Sequence, residues 1–366
     1  MNFLAVIFDS ALFQLLIITA VLTVIVFFLL NYFQKIGTTS KTKDISNRWS
    51  KSAKPTLGGI VFLLAFLGWV IGQYFSNAFD DYDYLLVFCA VAAFSLGLWD
   101  DINRLSAKYK LAGQICIAFL FAWFRLLPET DFLETLSYGN FQGIITFGFI
   151  VFFTVGIMNS VNMLDNMDGV ASVAALPVFM LPSLLMIGMG SLSVWLVSGL
   201  IAFLIFNWPK SRIFMGDSGS LLLGFLVAWI LTESNHVLMS SAFYPFTFFI
   251  LLLASCSLYL ADSLVVVINR LRHGISPAQG GRDHSTHNLV YAGLSEKQVA
   301  WLFLGLATIE TLFCALLSGC DTRGPWDDNR FVLIASLIVG YFFLLFLIMF
   351  GISLRNLRKG KYTYIK

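Results

Sequence analysis

Charge is scarce in this chain: Asp, Glu, Lys and Arg together make up 12% of its 366 residues, against 58% hydrophobic residues that include 37 Phe. So little charge excludes a soluble globular domain, whose composition is about a quarter charged. With a mean hydropathy of +0.82, the solvent for most of the chain is lipid. A basic excess is missing too. Its net charge of +2 excludes a nucleic-acid partner, because binding a polyanion needs a concentrated basic surface. Cys89, Cys116, Cys256, Cys314 and Cys320 show no metal-type spacing, and all but Cys320 lie in or at the edge of apolar runs, so they are read as packing. The N-terminal apolar run is too long for a signal-peptide core and no small-residue cleavage site follows it, so it is expected to stay as a membrane helix. Internal repeats, low-complexity tracts and a soluble domain are also missing.

What is present is a series of apolar runs. A span needs roughly 20 apolar residues, and runs of about that length lie near 11–33, 57–77, 83–99, 111–127, 143–160, 171–188, 191–208, 219–234, 244–268, 299–318 and 331–353. They predict one polytopic domain over residues 1–366, an all-α integral membrane bundle of about eleven helices. The loops alternate in charge. All 23 Lys and Arg residues except Arg125, Arg323 and Arg330 fall in 34–56, 100–110, 209–218, 269–298 and the tail 354–366. The positive-inside rule makes that set cytoplasmic, with the N-terminus outside and the C-terminus inside.

The unusual polar segments all fall on that cytoplasmic side. They are Lys51-Ser-Ala-Lys54-Pro-Thr-Leu-Gly-Gly59, Asp100-Asp101-Ile-Asn-Arg104 with Lys108 and Lys110, and Asn162-Met-Leu-Asp165-Asn-Met-Asp168-Gly169. Further on come Asn207 followed by Met215-Gly-Asp217-Ser-Gly-Ser220, and a loop with His273, Arg282, Asp283, His284 and His287. Asp100 and Asp101 end an apolar run, where adjacent carboxylates repel unless a cation lies between them. A solvated helix end, with Arg104, Lys108 and Lys110 nearby, fits them as well. Asn162, Asp165 and Asp168 share one face of a helical turn and suit Mg²⁺ or a ribose and uracil edge; an N-cap network is the plainer alternative. Asp217 precedes a span among glycines that let backbone N–H groups approach a phosphate, although a capping Asp would look the same. A carboxylate-rich set without thiolates favours a hard cation over zinc, which leaves phosphate recognition to the His and Arg of the last loop. One shared site explains the convergence of five such clusters on one face better than five separate accidents.

These motifs, in this order over about residues 50–295, resemble the polyprenyl-phosphate N-acetylhexosamine-1-phosphate transferases of the glycosyltransferase family 4 type. The resemblance implies a bacterial inner-membrane enzyme with its site on the cytoplasmic face. It would transfer a sugar 1-phosphate from a UDP-sugar to undecaprenyl or another polyprenyl phosphate, release UMP, and so initiate a cell-envelope glycan. Mg²⁺, with Mn²⁺ as its substitute, is the implied cofactor, held by Asp217 and Asp100. Asp100, Asp101, Asp217 and His284 are the implied catalytic set, and Lys51, Asn162, Asp165, Asp168, Asn207, Arg282 and His287 the implied substrate contacts. The last loop departs from the pattern, since Thr286 stands where many members carry a histidine.

The branch is expected from topology. The phospho-N-acetylmuramoyl-pentapeptide branch resembles ten spans with both ends outside, whereas the run at 331–353 and the basic tail give eleven here and favour N-acetylglucosamine 1-phosphate as the group transferred. A homodimer is compatible with the sequence. The rival from another class is a secondary transporter, for which Asp262 and Glu310 are the main ionisable candidates within spans; no repeat pairs them.

Overall fold

A computed structural model of the chain describes residues 11–36, 54–77, 81–126, 141–184, 190–208, 210–237, 244–318 and 329–362. Among these residues lie twelve helices: α1 (Ala11–Ile36), α2 (Gly58–Phe75), α3 (Asp81–Asn103), α4 (Ala107–Leu126), α5 (Phe141–Leu164), α6 (Val170–Leu184), α7 (Gly190–Asn207), α8 (Gly216–Val237), α9 (Tyr244–Arg272), α10 (Ser285–Tyr291), α11 (Glu296–Ser318) and α12 (Asn329–Arg358). Each apolar run coincides with one of the eleven long helices. The exception is α10, seven residues long, which lies in the histidine loop and has too little apolar surface to show as a run.

Seven helices, α1, α2, α3, α5, α7, α11 and α12, are long and apolar enough to cross a membrane. The others differ in kind. α4, α8 and α9 bring Lys110, Asp217 and Asp262 into the bundle, and α6 contributes a shorter apolar stretch, Val170–Leu181. The chain is therefore a polytopic all-helical membrane bundle.

α8 is its centre. Every residue from Ser218 to Thr232 is buried, and the helix packs against α2, α3, α5, α6 and α9. Lipid offers no hydrophobic drive between helices, so close approach depends on small residues at the contacts. A Cβ on Gly97 of α3 would lie 2.2 Å from the backbone oxygen of Asp217, and one on Gly224 would lie 2.7 Å from the Cα of Met158.

The start of α8 is joined to the start of α2 by the one β-bridge among the described residues, Thr56 beside Phe214. Phe214 N–H donates to Pro55 O (2.9 Å), and the N–H groups of Leu57 and Gly58 donate to Phe214 O (both 3.1 Å). Two motifs about 160 residues apart in sequence thereby form one surface.

Candidate active site

Asp217 occupies the first turn of α8, where the helix dipole favours an anion. The turn is built on Gly216, whose φ of +75° suits glycine. Asp101, at the end of α3, fixes it: Oδ1 accepts the Asp217 N–H (2.9 Å) and Oδ2 the Ser218 N–H (3.0 Å). A carboxylate from a neighbouring helix thus caps α8, with both its oxygens engaged.

Asp217 Oδ1 accepts from Lys110 Nζ (2.7 Å) and from Asn162 Nδ2 (2.6 Å). Lys110 also pairs with Asp100 Oδ2 (2.9 Å) and reaches Asn162 Oδ1 (3.3 Å). The other oxygen of Asp100 accepts the Leu105 N–H (2.7 Å), closing the turn between α3 and α4. An ammonium enclosed by oxygens of Asp100, Asp217 and Asn162 shows that the cage accepts a cation. Its donors are hard, and a site built from one or two carboxylates with room for substrate phosphates fits Mg²⁺. Among the described residues no group of three or more His, Cys, Asp or Glu is arranged to enclose a metal alone.

These groups line a cavity of about 420 Å³. Asp101, Lys110, Asn162, Asp165, Asp168 and Asn207 contribute to its lining, as do Asp217, His284, His287 and the loop 277–281. Asp100 stands behind Lys110 and is not part of the lining. Asp168 accepts the Ser211 N–H (3.1 Å), and Asn207 donates to Ile213 O (2.8 Å), so both also brace the segment that leads into α8. An amide pair, Asn159 donating to Gln114 (2.9 Å), joins α5 to α4 along the same cavity. Arg282 departs from expectation: it lies outside the lining, which instead includes Arg270. Lys51 lies outside the described residues.

The histidine helix α10 is held from several directions. Asp262, wholly buried on α9, accepts the Ser285 N–H (2.7 Å) and faces His284 Nδ1 (3.2 Å). The residue that a transporter would use as an intramembrane carrier is thus the anchor of a site histidine. Arg270 forms a two-bond pair with Asp283 (2.9 and 2.7 Å) and donates to Pro277 O (2.8 Å). Burial would raise the Asp283 pKa, but the Arg270 guanidinium overrides it and holds the carboxyl below its usual range. Thr286 donates to Asn166 Oδ1 (2.5 Å), tying α10 to the Asn162–Asp168 segment. In place of a histidine ring, position 286 carries a short tether. His287, 1% exposed, is pushed down to about 3 by burial and by the neighbouring His284. At neutral pH it is a neutral hydrogen-bonding group on the cavity wall.

The sequence reading missed the roles of Lys110, Asp262, Arg270 and Asn166. Lys110 and Asp262 carried a signal, as ionisable residues at the start of one apolar run and inside another; Arg270 and Asn166 acquire their roles from partners that only the fold supplies.

The structure thus holds a carboxylate cage closed on a lysine ammonium at a helix N-terminus, beside a histidine helix and inside a membrane bundle. The comparisons say which class of protein carries it. Residues 84–235 match the family described as Glycosyl transferase family 4. The chain is 30% identical to a phospho-N-acetylmuramoyl-pentapeptide-transferase of Carboxydothermus hydrogenoformans, over 78% of this chain and 90% of that protein. Proteins of the same name from Streptococcus equi subsp. equi (31%, covering 56% of this chain and 66% of the relative) and Listeria monocytogenes (32%, 54% and 66%) are also similar. The chain belongs to the polyprenyl-phosphate hexosamine-1-phosphate transferases of glycosyl transferase family 4. It is a membrane phosphosugar transferase, working between a nucleotide sugar and a polyprenyl phosphate.

Proposed function

We propose that the chain moves an N-acetylhexosamine 1-phosphate from a UDP-sugar to undecaprenyl or another polyprenyl phosphate on the cytoplasmic side of the bacterial inner membrane, releasing UMP and starting a cell-envelope glycan. A lipid phosphate oxygen attacks the phosphorus that bears the sugar, and the bond from that phosphorus to the UMP oxygen breaks. Because both reactants are anions, charge neutralisation and alignment dominate the barrier. The observation that carries the reading is Asp217 held at the N-terminus of α8 between Lys110 and Asn162.

In this reading Lys110 and the α8 N-terminus attract the phosphates, Asp100 keeps Lys110 in place, and Asp101 orients Asp217. Asp165 and Asp168 belong to the nucleotide end of the cavity, with Asn162 between them and the cage. Asp217, with Asn162 beside it, would hold Mg²⁺ together with substrate phosphates, while Asp100 stays paired to Lys110; when bound, the cation would supply further neutralisation of the diphosphate. A phosphate monoester with a second pKa near ~6 is largely dianionic at neutral pH, so the nucleophile needs little help from a base.

The printed names of the relatives support UDP-N-acetylmuramoyl-pentapeptide as donor. UDP-N-acetylglucosamine is the second reading, drawn from the eleven long helices expected from the sequence; its structural counterpart is α12, which packs directly on α10 and α9. The deciding experiment incubates purified protein with undecaprenyl phosphate and Mg²⁺ and offers each donor separately, reading UMP release and the lipid product. Turnover of one donor assigns the branch, and no UMP from either sinks the proposed reaction.

A further inference from the structure

Helix α10 carries His284 and His287 yet has only seven residues. A helix that short has no stability of its own in water and takes its shape from what holds it. Its N-cap, His284, makes no side-chain capping bond. The first-turn N–H of Ser285 is accepted by Asp262 instead, while Asn288 Nδ2 donates back to the carbonyls that enter the helix, Asp283 O (2.9 Å) and His284 O (3.0 Å). The amide of Asn288 therefore fixes the backbone on which His284 sits.

Asn288 is itself oriented from elsewhere. At the inner end of α12, Asn356 Nδ2 donates to Asn288 O (2.8 Å) and to Asn288 Oδ1 (3.1 Å). Both side chains are buried, at 3% and 1% exposure. Neighbouring contacts keep Asn356 there. Asn269 of α9 donates to Ser353 (2.9 Å), Ser353 pairs with the Tyr362 hydroxyl (2.7 Å), and the Tyr362 ring stacks on Tyr291 at 6.0 Å between centroids. The last helix and the turn after it thus close over the histidine helix through a chain of hydrogen bonds from α9 to α10, the kind of arrangement that favours one geometry. Neither Asn356 nor Tyr362 lines the cavity.

We propose that Asn356 is a positioning residue of the transferase site: acting through Asn288, it sets the backbone of His284 and His287, so that the C-terminal helix governs the geometry of a site it does not touch. This rests on the proposed phosphosugar transfer. Asn356→Ala leaves Asn288 Oδ1 without its donor and frees the amide to rotate. A displacement of about 1 Å at a catalytic group costs up to about 100-fold in rate.

The experiment compares wild type, Asn356→Ala and the milder Tyr362→Ala. It measures UMP release, melting temperature in detergent, and hydrogen–deuterium exchange of residues 284–291. The expected result for Asn356→Ala is a kcat lowered about 10- to 100-fold with KM for the lipid phosphate unchanged, a modest drop in melting temperature that leaves the protein folded under the assay conditions, and faster exchange in 284–291. Tyr362→Ala should follow in the same direction and less far. A rescue separates positioning from folding. Tyr291→Cys and Tyr362→Cys are added to Asn356→Ala, with Cys116 and Cys320 replaced by Ser, and bridged with a short bis-maleimide. Recovered turnover supports the clamp. Wild-type kcat and exchange in Asn356→Ala overturn it, as does a loss of turnover that tracks a loss of folded protein and that the bridge does not restore. Absence of UMP release by wild type would count against the transfer reaction; the exchange comparison still decides the clamp.

Discussion

Asp217 sits where two sources of positive potential meet, the α8 N-terminus and the Lys110 ammonium. Asp217→Asn keeps the shape and removes the charge, so turnover is expected to fall by about 10²- to 10³-fold, the cost of losing one preorganised electrostatic contact, at every pH assayed. Asp101 is different. Both its oxygens accept backbone N–H groups of α8, and in Asp101→Asn one of them is replaced by an NH₂ that opposes a backbone donor. A loss of about 1–3 kcal/mol of stability is expected, with turnover reduced across the pH range. Recovery of the Asp101→Asn rate at high pH would instead show that Asp101 accepts a proton in the reaction. His287 supplies a third test. Its folded pKa, pushed down to about 3, lies below the unfolded value near ~6.5, so the unfolded chain binds more protons and stability falls as pH drops from about 6.5 toward 3, by at most about 1.4 kcal/mol per unit. His287→Gln should flatten the fall in melting temperature between pH 6.5 and 4.5, a window above most carboxylate titration. An unchanged slope would mean that His287 is not buried neutral.

At the scale of elements, the approach of α3 to α8 depends on Gly97, where a Cβ would come within 2.2 Å of backbone. Backbone has no rotamer with which to yield, so Gly97→Ala should separate the two helices, pull Asp101 off the α8 N-terminus and abolish turnover together with a measurable loss of melting temperature. Thr286→Val keeps the volume and removes the bond to Asn166; turnover should fall while the fold is kept. The eleven long helices were legible in the sequence because each is an apolar run of about membrane thickness. The carboxylates of the site were legible because ionisable residues cost free energy beside lipid, so their presence at the ends of such runs marks a task. Their partners were not legible. Lys110 meets Asp217 and Thr286 meets Asn166 across more than a hundred residues of chain, and no local periodicity encodes such a pairing. Asp262 was visible as an ionisable group inside a run but lacked a meaning until α10 was placed beside it. Arg270, which the sequence reading did not single out, is the arginine that the fold places in the lining.

For the whole molecule, the arrangement of basic loops makes a directional statement that the bundle itself does not contain. Lys and Arg flank the ends of helices that carry the site, and the connections at the other ends are almost devoid of them. The membrane potential and the anionic inner leaflet both favour keeping such residues in the cytoplasm, so the charge pattern predicts the orientation of the site. Exposed positions on the two faces allow a direct test. Asn77, after α2, belongs to the poorly charged face; Gln279 in the cavity loop and Lys359 after α12 belong to the basic one, and all three are exposed. Single cysteines at each, in a background without the native five, should divide by membrane-impermeant maleimide on intact cells, with Asn77→Cys labelled and the other two labelled only after permeabilisation. Labelling of Gln279→Cys and Asn77→Cys from the same side would break the eleven-span topology. Labelling of Lys359→Cys together with Asn77→Cys, and not with Gln279→Cys, would place the end of α12 across the membrane from α10, which the Asn356–Asn288 contact forbids.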